Sequence, residues 1–423
     1  MNHVIVGAGP AGVVAAEALK KLQPSASISI IGDEPEPPYS RMALPYYLIK
    51  QVDEKGTHLR KTSSHFSDMG IDVVQDTVNS IDRKNQNLSL ANGGTVGYDK
   101  LLIATGSTPV SPPIPGIDLP GVHSCWTLED ARHIIAGSKP GSKVLLMGAG
   151  FIGCIILEAL ARSGADLTVV EMEDRMVPRM MNDIAGNMIK DWCEKEGVKV
   201  HTSTKVTSIE AASGDDKFSV SLSTGDTVGA DLIVSATGVR PNIGLVDGTG
   251  IETDHGILVN RHMQTNDPNI FAAGDVAQGQ DFSTGEYSVQ AIQPTATEHG
   301  QLAARNMAGK SGAVHQGTVN MNVLDTLGLI SSSFGLWMGA DGGESAELLN
   351  KERFRYLNLQ FQDDILVGAT SLGLTQHVGV LRGLIQTKTK LGVWKDRLKE
   401  DPTRIMEAYM ASTQALGFNA AVM

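Results

Sequence analysis

The chain opens on a short apolar run, His3-Val-Ile-Val, that stops at Gly7. Behind it Val13, Ala16, Leu19 and Leu22 recur at helical spacing, which predicts a helix with one apolar face. The next apolar run, Ile28-Ser-Ile-Ile31, ends at Gly32-Asp33-Glu34. Strand, helix and strand fit within about thirty residues, the size of a β-α-β unit. Prolines from Pro35 to Pro45 then break the pattern, as expected of a loop laid over a ligand rather than a core element.

The same pattern returns about 140 residues later. Lys143-Val-Leu-Leu-Met147 reads as a strand, a glycine turn begins at Gly148, and Leu157, Leu160 and Ala161 mark a helix. A second strand, Leu167-Thr-Val-Val170, ends at Glu171. Each unit is followed downstream by an apolar strand running into glycine: Leu101-Leu-Ile-Ala104-Thr105-Gly106, and Leu232-Ile-Val-Ser-Ala-Thr-Gly238. From about Thr318 the texture shifts to short strands, Phe354 to Phe361 and Ile365 to Ala369, and then to helices. Asp401-Pro402 reads as the start of the last helix and Gly417 as its stop, with Ile405, Ala408, Tyr409, Ser412 and Leu416 on one face.

The two glycine turns carry the chemistry. In Gly7-Ala8-Gly9-Pro10-Ala11-Gly12, the first glycine permits a tight turn and the second lets backbone approach a pyrophosphate. The third lets helix and strand pack closely, and the helix N-terminus then faces the phosphates. A lone GxGxxG is weak evidence, but one set between strand and helix, with an acid about twenty residues on, is strong. Asp33 and Glu34 supply that acid, although Gly32 holds the first position after the strand. The second motif, Gly148-Ala-Gly150-Phe151-Ile152-Gly153, meets Glu171 directly after its strand. A carboxylate there accepts hydrogen bonds from a ribose hydroxyl and repels a 2′-phosphate, so NAD is expected over NADP. The fold class is therefore α/β: two Rossmann-like dinucleotide-binding domains plus a C-terminal α+β domain.

Composition narrows the field. The net charge of −12 argues against nucleic acid as the main partner. No window approaches the ~18 consecutive apolar residues of a membrane span. With a strand starting at His3, no cleavable leader is expected, and the expected location is the cytoplasm. Cys125, Cys154 and Cys193 show no metal-type spacing, so no metal site is assigned, and they read as thiols of a reducing compartment.

Taken together, the two dinucleotide motifs, the two Ala-Thr-Gly segments and Ile270-Phe-Ala-Ala-Gly274-Asp275 resemble the FAD-dependent pyridine nucleotide–disulfide oxidoreductases, in order over residues 3–310. The loop Pro38-Tyr-Ser-Arg41 is similar to that of the rubredoxin and ferredoxin reductases, the flavin part of nitrite reductase and apoptosis-inducing factor. The resemblance implies FAD on the first motif and NAD(H), as substrate, on the second. It implies that Arg41 reaches the FAD diphosphate, the alternative being a surface loop charge. Asp275 then bonds the ribitol chain, Val78 lines the adenine through its backbone, and Ile292-Gln-Pro294 approaches the isoalloxazine. The implied division is an FAD domain of 1–118 and 239–317, an NAD domain of 119–238, and a C-terminal interface domain of 318–423.

The departures are equally informative. Leu44-Pro-Tyr-Tyr-Leu48 also resembles the CoA-disulfide reductases and NADH oxidases, which carry a redox cysteine where this chain has Met42. A thioether forms no thiolate, so thiol chemistry is excluded at that position. The ferredoxin-reductase branch carries a lysine where this chain has Tyr46 and a glutamate where it has Ile155. These two are expected beside the reacting rings, and no catalytic residue is assigned. A single charge restored there, buried without its partner, is expected to be costly. Trp337 and Met338 align with an aromatic position near the flavin, or are ordinary core of a small sheet. Arg382, Lys388, Lys390, Lys395, Arg397 and Lys399 form either a solvated helix face or a dock for an acidic electron carrier. The expected function is an FAD-dependent oxidoreductase passing electrons between NADH and a rubredoxin- or ferredoxin-like protein. The alternative is a flavin-bearing partner subunit or redox sensor with slow or no NADH turnover. The expected partner is a small redox protein or electron-transfer subunit; the oligomeric state stays open, a homo-oligomer included.

Overall fold

The structure is a computed structural model that describes residues 1–310 and 312–420, with side chains described through residue 413. Two β-α-β units organise it. In the first, β1 (Asn2–Val6) leads through α1 (Pro10–Leu22) to β2 (Ser27–Gly32). In the second, β3 (Lys143–Met147) leads through α2 (Phe151–Arg162) to β4 (Asp166–Val170). A later helix, α3 (Gln293–Met307), starts at a Pro in its first turn. The chain divides into two compact units: Met1–Val110 with Val239–Asp281 and Gly285–Thr318, and Ser111–Gly238 with Phe282–Thr284 and Val319–Met423.

In the first unit β1 lies in the middle of a five-stranded parallel sheet. Lys100–Ile103 and then Ile270–Ala272 lie on one side, β2 and then Asp72–Gln75 on the other. Val4, Ile5 and Val6 are all buried, which is why β1 reads as an unbroken apolar run: a parallel strand is covered on both faces. Against this sheet α1 buries Val13, Ala16 and Leu19. A separate antiparallel sheet holds Val78–Asp82, Asn87–Leu90 and Thr95–Gly97.

The second unit repeats the parallel sheet, in the order Lys199–His201, β4, β3, Leu232–Ser235, Val122–Ser124. A three-stranded antiparallel sheet packs Phe218, Val220 and Leu222 onto Leu145, Met147, Val170 and Ile233. The rest of this unit is a five-stranded antiparallel sheet, Met321–Thr326 to Glu344–Asn350. Phe334, Leu357, Leu359 and Ala369 from one of its faces cluster with Leu381, Leu384, Leu398, Ile405 and Ala408 from the terminal helices. Several contacts tie these parts together: Asn182 Nδ2 donates to the Tyr356 hydroxyl at 2.7 Å, Trp192 Nε1 donates to Leu327 O at 3.3 Å, and the Trp192 and Phe354 rings meet edge-on at 5.0 Å.

The terminal helix departs from its sequence reading at both ends. It begins at Ile405 rather than Pro402, after Asp401 has capped the Thr403 N–H at 3.0 Å. It continues through Gly417 to Ala420. A lone glycine costs a helix about 1 kcal/mol and does not by itself end it. Ile405 and Ala408 are buried and Tyr409 packs against the same cluster, while the Leu416 side chain lies outside the described residues.

Candidate functional site

The three glycines of the first turn have different surroundings. Gly7 has φ +118, its N–H donates to Ile31 O at 2.7 Å, and a Cβ on it would fall 2.1 Å from Ala104 O. A Cβ on Gly12 would fall 2.0 Å from Gly7 O. A Cβ on Gly9 would meet nothing within 4 Å, and Gly9 is the extended residue that caps α1. The amides of the first helical turn have no acceptor within the helix. The turn therefore ends in open space beside unpaired donors, a cradle that fits a pyrophosphate.

Other predicted residues gather around this turn. Ala11 meets two glycines: a Cβ on Gly274 would lie 3.3 Å from its Cβ, and one on Gly300 only 2.3 Å from its carbonyl oxygen. Thus α3 approaches α1 at backbone distance, with Ile292 half-buried at its N-cap. Asp275 accepts from the Ser107 hydroxyl at 2.9 Å. Burial pushes its carboxyl up, a shift the Ser107 hydroxyl and the Arg41 charge oppose. Arg41 itself donates to Glu34 at 2.6 Å and to the Tyr39 hydroxyl at 3.0 Å, and Tyr39 also donates to Glu34, at 2.5 Å. Arg41 and Glu34 thus form one partly buried ion pair, while Asp33 is exposed. Val78 begins the separate antiparallel sheet and is half-buried. One brace escaped sequence reading. Asn242 donates to Thr105 O at 2.8 Å and accepts through its own backbone carbonyl from the Thr105 hydroxyl at 3.1 Å, holding the Ala-Thr-Gly segment. Its position just after Pro241, beyond the second strand-to-glycine segment, was the available signal.

The second turn copies the first. Gly148 has φ +96, its N–H donates to Val170 O at 2.8 Å, and a Cβ would fall 2.6 Å from Ala236 O. A Cβ on Gly153 would fall 2.2 Å from Gly148 O, and one on Gly150, which caps α2, would meet nothing within 4 Å. Phe151 and Ile152 form the first turn of α2 and are half-buried, and Gly238 also faces open space. The matching bonds put Glu171 and Gly32 at equivalent positions. Glu171 is 7% exposed and accepts from Ala149 N–H at 2.5 Å and from Glu173 N–H at 2.9 Å. At Gly32 a Cβ would already lie 3.0 Å from the Ala8 methyl.

The remaining candidates are more scattered. Tyr46 is 54% exposed and Met42 44% exposed in the first unit, while Ile155 is half-buried on α2 in the second. Trp337 is buried at 5% exposure beside Met338 at 77%. The basic stretch is partly committed within the chain. Lys395 and Lys399 both pair with Glu344, Arg397 stacks 4.5 Å above the Trp394 ring, and Lys388 stands 5.0 Å from Phe282. All three cysteines are buried, and burial pushes the Cys125 and Cys193 thiols up to about 12.

The chain is 30% identical over 414 residues to the NADH-dependent phenylglyoxylate dehydrogenase subunit epsilon of Aromatoleum evansii, covering 97% of this chain and 98% of that one. It is 28% identical to the rubredoxin-NAD(+) reductase of Ectopseudomonas oleovorans, over 91% and 99% of the two chains. The solved ferredoxin reductase for the CYP199A2 system from Rhodopseudomonas palustris matches with a TM-score of 0.84 and 27% identity, over 92% of this chain and 95% of that one. The family model described as pyridine nucleotide-disulphide oxidoreductase matches residues 1–302. The duplicated glycine turns and the match over those residues agree: the chain belongs to the pyridine nucleotide-disulphide oxidoreductase family.

Proposed function

We propose that this protein is an FAD-dependent oxidoreductase that passes electrons between NADH and a small protein electron carrier. The observation that carries the reading is the pair of glycine turns, each open at its middle glycine and each ending at a helix N-terminus. In this proposal Gly7, Ala8, Gly9, Pro10, Ala11 and Gly12 cradle the FAD pyrophosphate. Glu34 serves the ribose with Asp33 beside it, and Arg41 the diphosphate. Asp275 with Gly274 serves the ribitol, and Val78, Ala104, Thr105, Gly106 and Ile292 line the rest. Gly148, Gly150, Phe151, Ile152 and Gly153 take the NADH pyrophosphate, with Glu171 on the ribose and Gly238 beside the nucleotide. The division into an FAD domain, an NAD domain and a C-terminal interface domain, and a cytoplasmic location, belong to the same proposal. When bound, the flavin supplies hydride acceptance and release of single electrons, and the protein supplies orientation and electrostatics. The names of the relatives, a rubredoxin-NAD(+) reductase and a ferredoxin reductase, support a protein acceptor.

A second reading has its own support. One relative that matches this chain nearly end to end is named as a subunit of an NADH-dependent dehydrogenase. Tyr46 and Ile155, both uncharged, stand where the reductase branch carries lysine and glutamate. On this reading the chain is the flavin-bearing subunit of a larger assembly, and its turnover alone with NADH is slow. Anaerobic mixing with NADH tests both. Bleaching of the flavin at a rate matching turnover with an added carrier supports a free-standing reductase. Sluggish bleaching, accelerated by a co-purified partner, supports the subunit. No bleaching and no NADH binding under any condition overturns both.

A further inference from the structure

The middle peptide of the second glycine turn is held by a residue in an unfavourable backbone conformation. Val177 is β-branched, precedes a proline, is 1% exposed, and has φ +49. Each of the first two properties disfavours that backbone conformation. Its bonds explain why it is there. The Val177 N–H donates to Ala149 O at 2.8 Å, and the Val177 carbonyl accepts from Met180 and Met181 N–H at 2.9 and 3.0 Å. Arg175 closes the same segment by donating from Nε to Met181 O at 3.0 Å. Ala149 lies between Gly148 and Gly150, and its own N–H is held by the buried Glu171 carboxylate at 2.5 Å. The middle peptides of the second turn are therefore gripped on both sides, at the N–H by Glu171 and at the C=O by Val177, with the Cys154 thiol donating more weakly to the same carbonyl at 3.4 Å.

We infer that Val177 is a positioning residue for the second dinucleotide. Its left-handed backbone clamps the glycine turn in the shape that receives the pyrophosphate, and the strain of a β-branched residue there keeps the clamp poised to release. When Val177 relaxes to an extended conformation, the bond to Ala149 O breaks and the turn loosens. The free protein then divides between clamped and loosened forms, and only the clamped form binds nucleotide well. The strain thus weakens binding and speeds release of the nucleotide after it has reacted. The inference rests on the assignment of NADH to the second turn.

A graded series separates strain from packing because the two predict opposite signs. Left-handed backbone becomes easier from valine to alanine to glycine. If strain governs the clamp, the NADH dissociation constant falls in the order Val177, Val177→Ala, Val177→Gly, by up to about fivefold at glycine. The dissociation rate slows in parallel, while flavin content stays constant. Val177→Ile keeps both the strain and the bulk, and retains the parent affinity. If the side chain merely fills the core, the same truncations weaken binding in that order, which overturns the inference. Unchanged affinity across the series overturns it as well. Binding is read by equilibrium titration and stopped-flow displacement on the flavin-loaded protein, without turnover. A parent protein that binds no NADH overturns the nucleotide assignment itself, an outcome distinct from either failure of the clamp.

Discussion

Gly9 and Gly12 stand three residues apart and answer to opposite constraints. A side chain at Gly12 runs into Gly7 O, a contact internal to the fold, whereas one at Gly9 meets no protein atom. Gly12→Val is therefore expected to destabilise the protein by about 1–3 kcal/mol or more, the usual cost of overpacking, read as a lower urea midpoint. Gly9→Val is expected to leave that midpoint near the flavin-free parent and yet lose most of the flavin, read from absorbance after purification. Full flavin occupancy in Gly9→Val would count against the first turn as its cradle. Another residue sets an acid limit. His299 is 2% exposed, both its ring nitrogens lack partners, and its ring meets that of His315 edge-on at 4.8 Å. Burial, with the nearby His315, lowers its pKa to about 3. Above pH 6.5 the ring is neutral in both folded and unfolded chains and pH has no effect through it. Below 6.5 the unfolded chain takes up a proton that the folded one refuses, so stability falls progressively toward pH 3. Between pH 6.5 and 5 the expected loss through His299 is roughly 2 kcal/mol, and His299→Leu should flatten that slope in urea titrations.

At the scale of elements, the end of β4 does two jobs at once. Glu171 was legible as the acid after a Rossmann strand, but its hold on Ala149 N–H was not, because that bond forms only when strand and turn are folded together. Glu171→Ala removes the proposed ribose acceptor and also leaves the Ala149 amide without its carboxylate. It is therefore expected to narrow the preference for NADH over NADPH by ~1–3 kcal/mol and to weaken binding of both nucleotides. Paired titrations with the two nucleotides check this; a changed preference with NADH affinity intact would mean that Glu171 acts only by repelling the 2′-phosphate. The packing of α1 on α3 is similar in kind. Gly300 carries no motif signal of its own, and only the fold reveals that Ala11 O would lie 2.3 Å from its Cβ.

At the scale of the whole molecule, the prediction concerns the reacting centre. Lacking the lysine and glutamate of the reductase branch, the isolated protein is expected to accept hydride from NADH slowly. The side chain of Tyr46 is largely in solvent, so Tyr46→Lys alone should fold normally and change the rate little. If positions 46 and 155 serve the same rings, Tyr46→Lys with Ile155→Glu should reduce the flavin faster than the product of the two single effects. Stopped-flow reduction of the four proteins decides it. Fast reduction in the parent, or strictly multiplicative effects, would mean that the two positions do not form a functional pair.

The sequence by itself determined the parts that depend on neighbours along the chain. The unbroken apolar runs of β1 and β3, the spacing of α1, and the glycine turns between them are local, because strand burial, helix periodicity and turn conformation are set within a few residues. Their duplication was legible for the same reason, and with it the family. Tertiary structure decided everything set by distant residues meeting. It paired Arg41 with Glu34, committed Lys395 and Lys399 to Glu344, and carried the last helix past Gly417. It also bent Val177 into a conformation its own side chain opposes, since the bond to Ala149 O is made 28 residues back along the chain (177 − 149). Such choices balance contacts against local preference, and the contacts exist only once the chain has folded.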